Sequence, residues 1–401
     1  MIDLPYIQDV VRSTPSKIIM LVVDGLGGLP HPETGKSELE SAYLPNLDAL
    51  CRKSACGLTT PVMHGITPGS GPGHMALFGY DPVKYLMGRG VLEALGIDVE
   101  LSDGDVASRG NFCTVDSQGA LVDRRAGRIP SDMSKPLVEA LDQIEVPGVS
   151  LAVYSVRDYR FLLVLSGSGL GDRISETDPQ VVGAQPLDAV PLSSASEPTA
   201  EAVNAFVAAA RGVLSGRDTA NMVLLRGFSA LPQLPGFGET YRLDPAAVAA
   251  YPMYRGLAKL VGMSVLASGE TFDDELDTLE RHFGDHDFFF LHYKPADAAG
   301  EDGDFDAKVA RLEELDARIP RLLELAPETL IIAGDHSTPS IMGAHSWHPV
   351  PLLIHSALTR GEGVDCFSER DCVNGSLGRI PATHVMLLAL GHAGKLTKFG
   401  P

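Results

Sequence analysis

The sequence lacks the features that mark membrane proteins and nucleic-acid-binding proteins. It carries 32 Lys and Arg against 52 Asp and Glu, so its formal net charge is −20 and it offers no positive surface to a nucleic-acid backbone. Its longest apolar runs, IIMLVV and VPLLI, fall far short of the roughly 20 residues that cross a bilayer. We therefore expect no nucleic-acid partner and no membrane partner.

Signals for export and for cysteine frameworks are also missing. The first residues lack a basic start, a continuous apolar stretch and a small-residue cleavage site. None of the five cysteines forms a CxxC pair, which favours reduced thiols over disulfides or a zinc site. We predict a cytoplasmic protein, and the composition leaves its oligomeric state open.

The composition is that of a folded chain with a large core. The 401 residues are 44% hydrophobic and 21% charged, and at roughly 150 residues per domain they predict two or three domains. The 42 glycines and 28 prolines indicate many tight turns between short elements. An acidic chain of this kind can still bind a small anion if metal ions or a local arginine cluster supply positive charge.

Short apolar runs alternate with helical patterns along the chain, which predicts an α/β fold with a mostly parallel sheet flanked by helices. Helices are expected at 44–53 and at 308–325, the second interrupted or kinked at Pro320. Buried strands that end at polar residues are expected at 17–24 (KIIMLVVD), 288–292 (FFFLH) and 329–335 (TLIIAGD).

The middle of the chain has shorter apolar runs and more turn residues. This pattern indicates a smaller α/β domain, residues 116–240, inserted into a discontinuous core formed by 1–115 and 241–401. Within the insert we expect strands in 148–165 and 221–225 and a helix over 200–214.

Two polar residues follow apolar or glycine-rich segments in the first part of the chain. Asp24 ends a predicted strand in VVDGLG, where it is either a turn residue or a ligand. Ser70 lies in TPGSGPGH before a helical pattern, where it is either an ordinary N-cap or a nucleophile at the positive end of a helix.

Two further segments carry metal-ligand chemistry. Asp297 and Glu301 are four residues apart and share one face if helical, although a solvated acidic loop would have similar composition. Asp335, His336 and His345 mix the oxygen and nitrogen ligands that Mn²⁺ or Zn²⁺ accept. Together with Asp24 and Ser70, these residues would suffice for two divalent cations flanking a serine, an arrangement that promotes phosphoryl transfer.

Arginines in and beside the middle segment favour an anionic substrate, because guanidinium groups match phosphate and carboxylate geometry. Each of them, taken alone, is better explained as a solvated surface residue, and the cluster RRAGR at 124–128 is the strongest candidate for anion binding. They are Arg109, Arg124, Arg125, Arg128, Arg160 and Arg226.

The chain resembles the cofactor-independent phosphoglycerate mutases, in particular the archaeal-type branch of the alkaline phosphatase superfamily. The resemblance rests on VVDGLG, LPNLDAL, TPGSGPGH, GRGVLEALG, RGNFCTVD, DRRAGRI, DAAGEDGDFDAKV, GDHSTP and HSWHPVPLLI, which follow the family's order over nearly the whole chain. It implies an alkaline-phosphatase-like core with an inserted substrate-binding lid. It also implies interconversion of 3-phosphoglycerate and 2-phosphoglycerate through a phosphoserine, without a bisphosphoglycerate primer.

The resemblance further implies roles for individual residues. Two divalent cations, Mn²⁺ or alternatively Mg²⁺, would be bound, and the substrate would be a small phosphorylated hydroxy acid. Ser70 would be the nucleophile, His74 matches a histidine that follows it in the family, and the arginines would hold the substrate. One ion would be held by Asp24, Ser70, Asp335 and His336, and the other by Asp297, Glu301 and His345.

Three positions depart from the family pattern. Glu301 stands where a histidine ligand is expected, which should favour Mn²⁺ or Mg²⁺ over Zn²⁺. Arg255 stands where the family's active-site lysine is expected, with Lys259 as an alternative. Tyr159 and Arg160 replace a His-Arg pair. These departures keep open a phosphatase, a sugar-phosphate mutase, a homoserine kinase-like enzyme and a catalytically silent metal- or phosphate-binding protein.

Overall fold

A computed structural model describes residues 2–360 and 363–400. The chain divides into two compact units, and the first is discontinuous. It comprises Met1–Leu86 and Leu234–Pro401, while the second comprises Met87–Gln233. Among the described residues, no helix has the length and apolar character needed to cross a membrane.

The described residues form thirteen strands. They are β1 (Ile18–Val23), β2 (Ala55–Thr60), β3 (Val106–Val115), β4 (Leu121–Asp123), β5 (Ser150–Ser155), β6 (Arg160–Ser166), β7 (Met222–Ser229), β8 (Pro245–Val248), β9 (Ser264–Val265), β10 (Phe288–Tyr293), β11 (Thr329–Ala333), β12 (Val350–His355) and β13 (Gly378–Pro381).

The same residues form fifteen α-helices and three short 3₁₀ turns, at Ala126–Arg128, Ser194–Ser196 and Ala382–His384. The α-helices are α1 (Ile7–Val10), α2 (Glu38–Ser41), α3 (Pro45–Cys51), α4 (Ser70–Leu77), α5 (Arg89–Gly96), α6 (Ser131–Leu141), α7 (Glu197–Val213), α8 (Phe237–Tyr241), α9 (Pro252–Leu260), α10 (Phe272–His282), α11 (Pro295–Glu301), α12 (Phe305–Asp316), α13 (Ile319–Glu324), α14 (Glu369–Cys372) and α15 (Val385–His392).

The first unit is built on an eight-stranded sheet in the order β13-β2-β12-β11-β1-β10-β8-β9. The β1 strand pairs in parallel with β10 on one side and with β11 on the other, whereas β12 is antiparallel to both of its neighbours. The sequence prediction of a mostly parallel sheet is therefore confirmed.

Helices cover both faces of this sheet, which explains why its central strands are continuous apolar runs. On one face, Leu21 of β1 belongs to a buried cluster that includes Leu312 of α12. On the other face, Phe290 of β10 lies edge-on to Phe78, with the ring centroids 5.0 Å apart. The burial of β1, β10 and β11 on both faces fixes the positions of the loops that follow them.

The predicted helix over 308–325 is two helices. The α12 helix ends at Asp316 and α13 begins at Ile319, so that Pro320 lies in the first turn of α13. Proline is tolerated there because the first N–H groups of a helix have no intrahelical acceptor.

The second unit contains a five-stranded sheet accompanied by α5, α6 and α7. The β3 strand pairs antiparallel with β4, β6 and β7, and β5 pairs antiparallel with β6. Its core includes Phe112, Phe161 and Phe206, which are fully buried. This unit begins earlier than the insert expected at 116–240, because β3 exchanges its hydrogen bonds with strands of the second unit.

Candidate active site

The ends of three neighbouring strands carry most of the polar groups of the site. The β10, β1 and β11 strands are adjacent and parallel, so their carboxyl ends lie at the same edge of the sheet. Asp24 follows β1, whereas Asp335 and His336 follow β11. All three side chains are completely buried. The order of the strands thus brings together residues that are far apart in the sequence.

His336 is the centre of a first group of candidate ligands. Three oxygen atoms surround its imidazole Nε2. They are Asp335 Oδ2 at 3.1 Å, Ser70 Oγ at 3.2 Å and Asp24 Oδ1 at 3.3 Å. The structure therefore brings together the four residues to which the family resemblance assigns one ion.

Two carboxylate oxygens of this group have no well-directed hydrogen bond from the described residues. Within the described part of the chain, neither Asp24 Oδ1 nor Asp335 Oδ2 accepts a well-directed hydrogen bond, although both are buried and imidazole nitrogens lie 3.1 to 3.3 Å from them. Burial and the charge of Asp335 raise the pKa of Asp24, but His292 and Lys294 outweigh them and lower it to about 2. The site thus contains ionised, buried carboxylate oxygens with free lone pairs, an environment that suits a divalent cation.

A second group of candidate ligands shares His336 with the first. Ligand atoms of Asp297, His336 and His345 all lie within 4.8 Å of one another. His345 Nε2 is 3.7 Å from Asp297 Oδ1 and 3.4 Å from Glu301 Oε1. The Glu301 side chain is 54% exposed, so it stands at the solvent side of this group.

His345 is held in place from two sides. Its Nδ1 lies 3.0 Å from the carbonyl oxygen of Pro68, and its ring stacks on that of His336 with the centroids 3.6 Å apart. Burial lowers the pKa of His345, but Glu301, the Pro68 carbonyl and nearby carboxylates outweigh this and raise it to about 9. The Nδ1 contact leaves Nε2 directed toward the carboxylates, as in a metal-binding histidine oriented by its other nitrogen.

Ser70 is the first residue of α4, and Gly69 is the N-cap. The Ser70 hydroxyl therefore does not cap its own helix and instead contacts His336 at 3.2 Å. His74, one turn later, has Nδ1 2.8 Å from the Ser70 carbonyl oxygen and 3.2 Å from Asp335 Oδ2. The interpretation of Ser70 as an ordinary N-cap is wrong, because the glycine before it occupies that position.

Comparison with known proteins identifies the family. The profile of the 2,3-bisphosphoglycerate-independent phosphoglycerate mutase family matches residues 51–220. A Thermus thermophilus relative, named a probable 2,3-bisphosphoglycerate-independent phosphoglycerate mutase, is 49% identical over 403 residues and covers 99% of each chain. The chain belongs to this mutase family. An Aquifex aeolicus relative of the same name is 47% identical, covering 98% of this chain and 99% of its own.

Solved structures agree with the fold. A Pyrococcus horikoshii protein superposes with a TM-score of 0.82 at 28% identity, covering 96% of this chain and 99% of its own. A cofactor-independent phosphoglycerate mutase from Thermoplasma acidophilum superposes with a TM-score of 0.72 at 30% identity, covering 94% of this chain and 100% of its own.

The sequence did not identify three residues that contact Asp24. The Tyr254 hydroxyl donates to Asp24 Oδ2, which also lies 3.1 Å from His292 Nε2 and 3.1 Å from Lys294 Nζ. Lys294 Nζ also donates to Asp297 Oδ2 at 2.5 Å and so bridges the two ligand groups. Signals existed for two of these residues, since His292 ends the predicted strand 288–292 and Lys294 lies three residues before Asp297.

Arg255 lies in α9 and lines a cavity of about 870 Å³ in the first unit, together with His292 and Lys294. Its guanidinium donates to the carbonyl oxygen of Ala250 at 3.2 Å. Lys259, the alternative for the family's lysine, is exposed in the last turn of the same helix. Of these two residues, Arg255 is therefore the one beside residues that contact Asp24.

The second unit contains all six arginines predicted to hold the substrate. Arg109 and Arg226 are cross-strand partners on β3 and β7, and Asp178 accepts two hydrogen bonds from Arg124 at 2.7 and 3.0 Å. Arg89 was not predicted, and its pKa is lowered by burial and by the charges of Arg226 and Arg109. Of the other predicted arginines, Arg125 and Arg128 are exposed, whereas Arg160 pairs with Asn111 of β3 and lies over the ring of Tyr159.

Proposed function

We propose that this chain interconverts 3-phosphoglycerate and 2-phosphoglycerate, with Ser70 carrying the phosphoryl group between the two hydroxyl positions. The observation that carries the proposal is the contact of Ser70 Oγ with His336 Nε2, since His336 belongs to both candidate ligand groups. Membership of the mutase family supports the same substrate class.

The residues present fit a pair of divalent cations. Three buried carboxylates and two histidines converge, and two of the carboxylate oxygens accept no well-directed hydrogen bond from the described residues. Asp24, Ser70, Asp335 and His336 would hold one ion, and Asp297, His345 and Glu301 the other. Carboxylate-rich sites of this kind take Mn²⁺ or Mg²⁺. Such ions neutralise charge on a transferring phosphoryl group and lower the pKa of the serine hydroxyl.

Ser70 begins α4, so the free N–H groups of the first helical turn lie beside its hydroxyl. They favour the negative charge of a phosphoryl group bound to that oxygen. In the first step the Oγ–P bond forms while the bond between phosphorus and the substrate's C3 oxygen breaks. The proton that Ser70 loses is balanced by the proton that the departing C3 oxygen gains. In the second step the C2 hydroxyl takes the phosphoryl group and Ser70 regains its proton.

The second unit, Met87–Gln233, carries the arginines that would bind the anionic groups of the substrate. Arg109 and Arg226 are cross-strand partners in this unit, and their charges lower the pKa of the nearby Arg89. Guanidinium groups bind carboxylates through paired hydrogen bonds, which would retain the glycerate between the two steps. This unit would thus take part in substrate binding, as the resemblance to the mutases implies.

The test is a phosphorus NMR assay of the Mn²⁺-loaded protein with 3-phosphoglycerate. We expect 2-phosphoglycerate to appear without inorganic phosphate and without added bisphosphoglycerate. Ser70→Ala should abolish this conversion, because it removes the attacking oxygen. The matched control is Ser54→Ala, which removes a buried hydroxyl bonded to Leu50 and His355 and should leave turnover intact.

Other results would contradict the proposal. Release of inorganic phosphate alone would indicate a phosphatase, and turnover of a sugar phosphate or of homoserine with ATP would indicate a different transferase. Full activity of Ser70→Ala would exclude the serine route. Binding of Mn²⁺ and substrate without any turnover would indicate a silent binding protein.

A further inference from the structure

Lys308 of α12 is a fully buried lysine whose ammonium group is enclosed by backbone carbonyls. Its Nζ donates to Thr338 O at 2.8 Å, to Gly25 O at 2.9 Å and to Gly27 O at 3.0 Å. An ammonium group has three N–H donors and no acceptor, so these three carbonyls match its capacity. The nearest carboxylate is Glu38, whose Oε1 is 3.9 Å away, too far for a hydrogen bond.

The three carbonyls belong to the two loops that carry candidate metal ligands. Gly25 and Gly27 follow Asp24, and Thr338 follows His336 by two residues. The two loops also bond directly, since Thr338 N donates to Gly27 O at 3.0 Å and Gly25 N donates to Asp335 Oδ1 at 3.2 Å. The ammonium therefore lies at the junction of the loops after β1 and β11.

Thr338 connects this junction to the ligands themselves. Its hydroxyl donates to Asp297 Oδ1 at 2.6 Å and lies 2.9 Å from His336 Nδ1. The space around it is tightly filled, because a Cβ on Gly25 would lie 2.7 Å from both Thr338 Oγ1 and Asp297 Oδ1. A shift of the Thr338 backbone would thus move contacts to residues of both ligand groups.

We propose that Lys308 is a positioning residue, whose ammonium acts as a tethered internal cation that holds the two ligand loops in the geometry needed to bind divalent metal. This inference rests on the proposed metal site. The carbonyls of both loops point at one position, and a positive charge there offsets their mutual repulsion. Loss of the charge should loosen the ligand loops and weaken metal binding, even though Lys308 touches no ligand side chain.

Lys395 provides a matched control. It is also fully buried in the first unit, and its Nζ donates to Thr14 O at 2.7 Å and to Asp287 Oδ2 at 2.8 Å. It contacts neither ligand loop. Lys395→Ala therefore removes a buried ammonium of similar burial without disturbing the residues around Asp24 and His336.

The experiment measures the Mn²⁺ dissociation constant of the full chain by electron paramagnetic resonance and its thermal midpoint by circular dichroism. We expect Lys308→Ala to bind Mn²⁺ roughly 10- to 100-fold more weakly, the usual effect of losing a residue that orients metal ligands. Lys395→Ala should lower the thermal midpoint but keep the wild-type dissociation constant. Ammonium chloride, but not sodium chloride, should restore Mn²⁺ binding to Lys308→Ala alone, because ammonium can occupy the vacated carbonyl cage.

The remaining outcomes distinguish failure of the proposed function from failure of the role of Lys308. Absence of Mn²⁺ binding in the wild type would overturn the proposed function. Wild-type affinity in Lys308→Ala, or equal weakening in both variants, would overturn only the role of Lys308. If Lys308→Ala unfolds in sodium, ammonium must restore a folded, Mn²⁺-binding protein, and failure to do so would also overturn that role. Lys308→Met, which keeps the volume without the charge, should behave like Lys308→Ala but show no rescue.

Discussion

Glu275 is a buried carboxyl group whose ionisation should lower the stability of the protein. Its side chain, in the first turn of α10, is 3% exposed. Oε1 accepts the N–H of Ala250 at 2.8 Å, and Oε2 accepts no hydrogen bond from any described residue. Burial raises the pKa of Glu275 from 4.5 to about 8, against smaller opposing contributions from backbone N–H groups. The folded protein therefore keeps this carboxyl protonated near neutral pH.

The sign of the effect follows from the raised pKa. The folded state binds the proton more tightly than the unfolded state, so this group's contribution to stability is complete below pH 4.5 and is lost as the pH rises toward 8. At about 1.36 kcal/mol per pKa unit, the upper limit of the loss is about 5 kcal/mol. We expect about 1–3 kcal/mol, because structural relaxation and water entry reduce the cost of burying a charge.

Glu275→Gln keeps the shape and the acceptor for Ala250 but removes the titration. Its free energy of unfolding, relative to wild type, should rise by about 1–3 kcal/mol between pH 5 and pH 8. Urea unfolding at several pH values measures this difference. Glu270→Gln, in the exposed loop before α10, is the control and should show no such trend. A Glu275→Gln difference that does not change with pH would refute the reasoning.

Two further predictions concern the second ligand group. Glu301→His should raise the affinity for Zn²⁺ relative to Mn²⁺ by roughly tenfold, because imidazole is the softer ligand; an unchanged ratio in competition titrations would show that Glu301 does not bind the ion. Thr338→Val removes the hydroxyl that donates to Asp297 and contacts His336. It should weaken Mn²⁺ binding by roughly 10- to 100-fold in calorimetric titrations, and wild-type affinity would contradict the orienting role.

The sequence was sufficient to predict that Asp24 and Asp335 lie at the same edge of the sheet. Continuous apolar runs indicated the strands before Asp24 and Asp335, and parallel neighbouring strands place their carboxyl ends at one edge of the sheet. Asp297 and Glu301 were likewise predictable as residues one helical turn apart. In each case a local pattern and a general rule of sheet geometry were sufficient.

The residues that the sequence did not reveal depend on packing between distant elements. Tyr254 lies 230 residues from Asp24 in the chain, and its fully buried position in α9 has the pattern of an ordinary core residue. Lys308 lies in an amphipathic helix, where a lysine is expected to face solvent, yet it is completely buried. Its environment exists only because the loops after β1 and β11 meet above α12.

The exact residue at which α4 begins could not be predicted from the sequence. The glycine-rich pattern located the start of a helix, but helix boundaries cannot be read from sequence to the residue. If Ser70 were the N-cap, its hydroxyl would cap the helix. Because Gly69 is the N-cap instead, the Ser70 hydroxyl contacts His336.

The most direct test of the central claim is the identity of the phosphorylated residue during turnover. The Mn²⁺-loaded wild-type protein is mixed with 3-phosphoglycerate, quenched in acid and analysed by peptide mass spectrometry. We predict one phosphate on Ser70, absent without substrate and absent in Ser70→Ala. Conversion of 3-phosphoglycerate to 2-phosphoglycerate with no phosphate trapped on Ser70, or with phosphate trapped on another residue, would contradict the account.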